Sequence, residues 1–105
     1  METLSVSTYA EKVATIPEEI PSIQLIYLFG SRVDGSIGPM SDIDLAVLLE
    51  HGAYTFDLQA LIHHRLQQVI DEAQVDLVVL NRAPIELAYA VIAEGAILYE
   101  QDLLT

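Results

Sequence analysis

The sequence contains no cysteine among its 105 residues, so it can form neither a disulfide nor a thiolate metal site. This composition fits a reducing compartment, and we therefore expect a cytoplasmic protein. The first residues lack a basic start followed by an apolar stretch, which predicts no signal peptide. No apolar run approaches the roughly 20 residues that a bilayer-spanning helix requires, so we expect no membrane contact.

Basic side chains are also scarce. Four Lys and Arg residues face 16 Asp and Glu residues, which gives a formal net charge of −12 at pH 7. Nucleic acids are bound through clustered Lys and Arg, so we expect no direct nucleic-acid contact. The acidity leaves three interpretations open, namely a well-solvated surface, a metal site or a basic protein partner.

Hydrophobic residues, in contrast, make up 52% of the chain, which predicts a folded protein with one core and a single domain over residues 1–105. A capping-box pattern at Thr8 and Glu11 predicts the start of a first helix. The order of elements predicts an α/β (α+β) fold, a small mixed sheet with helices packed against it. The predicted helices cover residues 8–16, 56–73 and 84–95, and the predicted strands cover Ile23–Phe29, Ile43–Leu49, residues 75–80 and residues 96–99.

Three aspartates stand at the starts of predicted strands. Asp42 and Asp44 are two residues apart, so on a strand they share a face at about 6–7 Å and repel by roughly 2–3 kcal/mol. A hard divalent cation, Mg²⁺ or Mn²⁺, would turn this repulsion into attraction. Asp76 supplies a third carboxylate if its strand is adjacent, and three carboxylates can hold two ions. The alternatives are a solvated turn for the pair and a surface or capping role for Asp76.

The strand end at Gly30 and Ser31 has the chemistry of a phosphate site. A glycine lets a phosphate approach the backbone, and a helical turn beginning at Ser31 would point free N–H groups at an anion. Ser31 adds a hydroxyl and Arg32 adds one cation. We therefore predict nucleotide binding by Gly30, Ser31, Arg32 and Ser41.

The spacing of these groups carries a resemblance to a known family. Gly30-Ser31, ten further residues and then Asp42-x-Asp44, in the context YLFGSR…SDIDLAVLL, resemble the signature of the DNA polymerase beta-like nucleotidyltransferase superfamily. The small size is similar to its minimal nucleotidyltransferase (MNT) branch. The resemblance implies a nucleotidyltransferase-like core with two Mg²⁺ or Mn²⁺ ions, bound by Asp42 and Asp44. It also implies that Asp76 is the third ligand and the general base.

The same resemblance implies a function. Many minimal members resemble antitoxins paired with a HEPN-domain toxin, and some adenylylate that toxin. We therefore expect a Mg-dependent transferase that moves AMP from ATP to a hydroxyl of a basic, helical HEPN-type toxin. The alternative is an antitoxin that neutralises its partner by binding alone. Family members often continue with Ala-Arg-Gly after this Gly-Ser-Arg, whereas this chain has Val33-Asp34-Gly35, an acid beside the predicted phosphate site.

For five residues of the predicted helices we expect a structural role and no part in catalysis. His63 and His64 fall away from the apolar stripe of the long helix, so we predict that both are solvated. For Tyr89, Val91 and Ile92 we predict core packing, with an exposed patch on the last helix as the alternative.

Overall fold

The computed structural model describes residues 5–30, 42–71 and 73–102 of the chain. Within these ranges two helices precede the first two strands, and helices and strands alternate after that. The elements are α1 (Val6–Val13), α2 (Ile16–Glu19), β1 (Ile23–Phe29), β2 (Ile43–Leu49), α3 (Phe56–Val69), β3 (Val75–Val79), a 3-10 turn (Leu80–Arg82), α4 (Ile85–Glu94) and β4 (Ala96–Glu100).

The strands form one four-stranded sheet in the order β3-β2-β1-β4. β1 runs antiparallel to both of its neighbours, β2 and β4, whereas β2 and β3 are parallel. The predicted fold class, a small mixed sheet with helices packed against it, is therefore confirmed. No helix in the described ranges is long and apolar enough to cross a membrane.

One face of the sheet carries the larger core. Successive residues of a strand point to opposite faces, so alternate residues of β2 turn towards α1, α2 and α3. This face excludes water almost completely, because its largest side chains are fully buried. They include Tyr9, Ile16, Ile23, Ile26, Leu28, Ile43, Leu45, Ile62, Leu66 and Ile70.

The opposite face is covered only in part, by α4. Leu87, Ala88 and Val91 of this helix pack against a small cluster around Tyr27 and Ala46. The other side of the helix is open, and its exposed side chains are Ile85 (81%), Tyr89 (68%) and Ile92 (57%). Core packing is therefore confirmed for Val91 and wrong for Tyr89 and Ile92, since the latter two lie on the helix side turned away from the sheet.

A local hydrogen bond explains where the first helix begins. The Ser5 side chain accepts a hydrogen bond from the Thr8 backbone N–H at 3.2 Å, so Ser5 caps α1 and the predicted cap at Thr8 is wrong. The helix ends at Val13, and α2 follows it as a separate turn. The Arg65 guanidinium joins α2 to α3 through two hydrogen bonds of 2.7 Å to Glu19.

The long helix is shorter than predicted because of Gln67. Its amide nitrogen donates to the carbonyl oxygens of Ile70 and Ala73, both at 2.8 Å, and its amide oxygen accepts from the Val75 N–H at 2.9 Å. The backbone after Val69 is therefore bonded to a side chain, and it does not continue the helix to residue 73.

Candidate active site

The register of three neighbouring strands places the aspartates. Asp44 of β2 is paired with Phe29 of β1 on one side and with Asp76 of β3 on the other. Asp42 lies immediately before β2, two residues from Asp44. Because Asp44 and Ala46 are two residues apart, Asp44 points to the sheet face that α4 covers in part. The structure therefore brings Asp44 and Asp76 together, as expected for adjacent strands.

The carboxylates affect each other through their charges. Asp44 is partly buried, whereas Asp42 and Asp76 are exposed. Burial first, and then the negative charges of Asp76 and Asp42, raises the pKa of the Asp44 carboxyl above its usual range. The site is thus a concentration of negative charge that a cation would stabilise.

Gly30 follows the last residue of β1 and lies against this carboxylate. Its φ of +80° is a conformation that side chains rarely adopt. A Cβ atom at this position would overlap the Oδ2 atom of Asp44. The glycine is therefore required by Asp44 itself, in addition to the phosphate approach that the sequence suggests.

The donor chemistry suits a hard divalent cation. Carboxylate oxygens are the ligands that Mg²⁺ prefers, and the mutual repulsion at Asp44 is relieved when a cation binds. Within residues 5–30, 42–71 and 73–102, no group of three or more His, Cys, Asp or Glu side chains is close enough to hold a metal ion. The two-ion site therefore stays a prediction.

Part of the predicted phosphate site falls on residues that the structure does not describe. Ser31, Arg32 and Ser41 lie outside the described residues, as does the acidic Asp34. Their assignment to nucleotide binding also stays a prediction.

A pocket of about 370 Å³ lies between α3 and the outer side of β3, and we call it the α3–β3 pocket. Asp76 is one of the residues that line this pocket, and it is also the residue of β3 that is paired with Asp44 of β2. The lining residues are Phe56, Gln59, Ala60, His63, Gln74, Val75, Asp76 and Leu77.

His63 is a pocket residue that the sequence prediction missed. Its Nε2 atom lies 2.9 Å from the Val75 carbonyl oxygen, so this nitrogen donates the hydrogen bond. The predicted solvation is therefore wrong for His63, which is partly buried, and is confirmed for His64, which is exposed. The available signal was the spacing of Gln59, His63 and Gln67, four residues apart, which puts three polar side chains in one row on α3.

Comparison with known proteins defines the class. The family model described as polymerase beta, nucleotidyltransferase matches residues 11–103 of this chain. The chain belongs to this nucleotidyltransferase family.

Two relatives are similar over most of the chain. The protein adenylyltransferase MntA of Aphanizomenon flos-aquae is 31% identical, over 87% of this chain and 73% of the relative. The protein adenylyltransferase MntA of Shewanella oneidensis is 38% identical, over 86% of this chain and 65% of the relative. The chain thus spans about two thirds to three quarters of the length of these relatives.

Solved structures share the same fold. A crystal structure of a toxin-antitoxin with AMP-PNP matches with a TM-score of 0.74 and 33% identity, over 89% of this chain and 74% of that one. A structure of the tri-AMPylated Shewanella oneidensis HEPN toxin in complex with its MNT antitoxin matches with a TM-score of 0.69 and 30% identity, over 92% of this chain and 74% of that one.

Proposed function

We propose that this chain is a protein adenylyltransferase that moves AMP from ATP to a hydroxyl of a HEPN-type toxin and thereby acts as its antitoxin. The observation that carries the proposal is the alignment of Asp44 with Asp76 across β2 and β3, next to Gly30. The relatives named protein adenylyltransferase, and the neighbouring complex of an AMPylated HEPN toxin with an MNT antitoxin, support it.

Asp42, Asp44 and Asp76 are the residues that would hold Mg²⁺ or Mn²⁺. When bound, two such ions supply positive charge that stabilises the attacking and leaving oxygens of a phosphoryl transfer. Gly30, Ser31, Arg32 and Ser41 are assigned to the phosphates of the nucleotide.

The chain's own groups position the reactants and move one proton. The acceptor hydroxyl oxygen forms a bond to the α-phosphorus of ATP, and the bond from that phosphorus to the oxygen bridging to the β-phosphorus breaks. Pyrophosphate leaves with the electron pair of the broken bond. The hydroxyl proton passes to the Asp76 carboxylate, which is exposed on β3 and therefore accessible to a second protein.

The partner we propose is a basic, helical toxin. The net charge of −12 attracts a basic protein over long range and repels nucleic acid. The same charge favours the second candidate function, in which the chain neutralises its partner by binding alone, because docking by charge requires no reaction at the aspartates.

Mass spectrometry of the toxin separates these two functions. The HEPN-type partner is incubated with ATP, Mg²⁺ and either the wild-type chain or the Asp42→Asn, Asp44→Asn double variant. We expect the partner to gain the mass of AMP with the wild-type chain only. Absence of a mass gain in both samples, with toxicity suppressed equally by both proteins, would show that the chain acts by binding alone.

A further inference from the structure

We propose that the outer side of α4 is the surface on which the HEPN-type partner docks when its acceptor hydroxyl reaches Asp44 and Asp76. The inference rests on the proposed function and names where its second substrate binds. We call this surface the α4 patch. Its residues are exposed and apolar, and they are Ile85, Tyr89 and Ile92 of α4 and Ile97 of β4.

The α4 patch and the aspartates lie on the same face of the sheet. Residues that are paired across neighbouring strands share a face, so Asp76 points with Asp44 to the face that α4 covers in part. Ile97 lies on that face as well, because it is paired with Tyr27, a member of the small cluster beneath α4. A protein that reaches the aspartates therefore approaches from the side on which the patch is exposed.

The C-terminal end of α4 lies beside the end of β1 that is next to the aspartates. A Cβ atom added to Gly95, the residue after the helix, would be 3.1 Å from the Leu28 carbonyl oxygen and 3.5 Å from the Phe29 Cβ atom. Phe29 is the strand partner of Asp44. Because a helix rises about 1.5 Å per residue, Ile92 lies about 5 Å along the axis from this end. The patch therefore reaches the end of the sheet at which Asp44 lies.

The spacing of the patch residues on α4 suits contact with a helix, and the partner we propose is helical. Ile85, Tyr89 and Ile92 follow the spacing i, i+4 and i+7, which puts them in one row along the helix. An apolar row of this kind packs against the apolar face of a second helix. In the described part of the chain, no other helix or strand has three large apolar side chains that are this exposed. A docked helix would remove this surface from water, which favours binding.

The charges beside the row favour a basic partner over a second copy of this chain. α4 contains two acidic residues, Glu86 and Glu94, which are both exposed, and it contains no Lys or Arg. Glu86 and Glu94 lie near the two ends of the row, where positive side chains of a partner would pair with them. Two copies of this chain, each with a net charge of −12, would instead bring like charges together.

A matched pair of substitutions tests the docking surface. Ile92→Ser on α4 and Leu61→Ser on α3 each remove one exposed aliphatic side chain from a helix, but α3 packs against the opposite face of the sheet. We expect Ile92→Ser to raise the Kd of the HEPN-type partner, and the KM for this partner in AMP transfer, by about tenfold. Leu61→Ser should change both values by less than about twofold. Neither variant should change the Kd of AMP-PNP with Mg²⁺.

Two further variants cover the case in which Ile92→Ser fails to fold. Tyr89→Ser removes the central side chain of the row, and we expect it to raise the Kd of the partner by about tenfold as well. Glu86→Lys leaves the row intact and reverses one charge beside it. We expect it to raise the Kd of the partner by about threefold at low salt and by less at high salt, because salt screens exposed charges.

Two separate readouts decide the inference and the proposed function. An unaltered Kd of the partner in the folded α4 variants overturns the inference, whether or not the wild-type chain transfers AMP. A wild-type chain that transfers no AMP, but whose affinity for the partner falls in these variants, supports the docking surface and overturns the proposed transfer.

Two other results would also overturn the inference. A loss of AMP-PNP affinity in Ile92→Ser would show that the patch contacts the nucleotide. A wild-type dimer that Tyr89→Ser converts to a monomer in analytical ultracentrifugation, with unaltered affinity for the partner, would show that the patch joins two copies of this chain.

Discussion

The two ends of the β2–β3 pair are built in opposite ways. At one end Asp44 and Asp76 place like charges side by side, and Gly30 leaves room for the first of them. At the other end the Asn81 side chain accepts a hydrogen bond from the Leu49 N–H at 2.8 Å and donates one to the Leu49 carbonyl oxygen at 2.9 Å. The repulsion between Asp44 and Asp76 lowers the stability of the first end, and the two hydrogen bonds of Asn81 raise the stability of the second. The strand pair can therefore tolerate like charges at one end because it is held by hydrogen bonds at the other.

The largest expected effect is a loss of AMP transfer when the charge of Asp44 is removed. Asp44→Asn keeps the shape of the side chain but removes a negative ligand, so we expect AMP transfer to the partner to fall by about 100-fold or more, or about 3 kcal/mol of transition-state stabilisation. Single-turnover transfer followed by mass spectrometry measures this. Transfer at the wild-type rate would mean that Asp44 has no part in catalysis.

The next largest expected effect is a loss of folding stability when the side chain of Asn81 is removed from the other end of the strand pair. Asn81→Ala leaves the N–H and C=O groups of Leu49, a residue only 1% exposed, without their partner, so we expect the free energy of unfolding to fall by about 2 kcal/mol. Urea denaturation measures this loss. Asn81→Asp serves as the control because it keeps an acceptor for the Leu49 N–H but sets a carboxylate oxygen against the Leu49 carbonyl oxygen, so we expect it to recover little of the stability that Asn81→Ala loses. A change in transfer rate per folded molecule would contradict the separation of the two ends.

A matched pair of glycines tests the contact with Asp44. Gly30 and Gly52 have φ values of +80° and +81°, but an added Cβ overlaps the Asp44 carboxylate only at Gly30 and meets nothing within 4 Å at Gly52. We expect each change to Ala to cost about 1 kcal/mol of stability through backbone strain. Only Gly30→Ala should also slow AMP transfer, by about tenfold, because the carboxylate must move. Equal transfer rates in the two variants would show that the position of this carboxylate is unimportant.

The smallest expected effect is a gain in folding stability when the charge of Asp44 is removed in the absence of metal. Because partial burial and two neighbouring charges raise the pKa of Asp44, its ionised form is disfavoured in the folded state. Asp44→Asn should therefore stabilise the metal-free protein at neutral pH by less than about 1 kcal/mol after solvent screening. Thermal denaturation without divalent cations measures the gain, and a lower melting temperature would contradict this explanation.

Much of the fold can be predicted from the sequence because its signals are local. The strands Ile23–Phe29 and Ile43–Leu49 are apolar except for Gln24 and Asp44 and are bounded by turn residues, and their predicted bounds are those of the structure. The strand order and the parallel pairing of β2 with β3 depend on contacts between distant residues, so the sequence pattern left them open. The sequence therefore predicts that Asp44 and Asp76 lie close together only if their strands are adjacent.

The residues missed in the sequence owe their roles to single long-range contacts. In the sequence Asn81 is simply a polar residue after a predicted strand, whereas in the structure it forms hydrogen bonds with Leu49, 32 positions away in the chain. His63 reads as a solvated helix residue, yet it is bonded to Val75. The exposure of Tyr89 likewise depends on which side of α4 meets the sheet, since apolar residues occur on both sides of that helix.

The hydrogen bonds from α3 to Val75 also bear on self-association. β3 is an edge strand, and such strands tend to pair with other chains through their free backbone groups. The N–H and the carbonyl oxygen of Val75 are already bonded to Gln67 and His63. A strand from another molecule could add along the start of β3 only by displacing both side chains, so the helix that forms one wall of the pocket also protects the chain against aggregation through this edge.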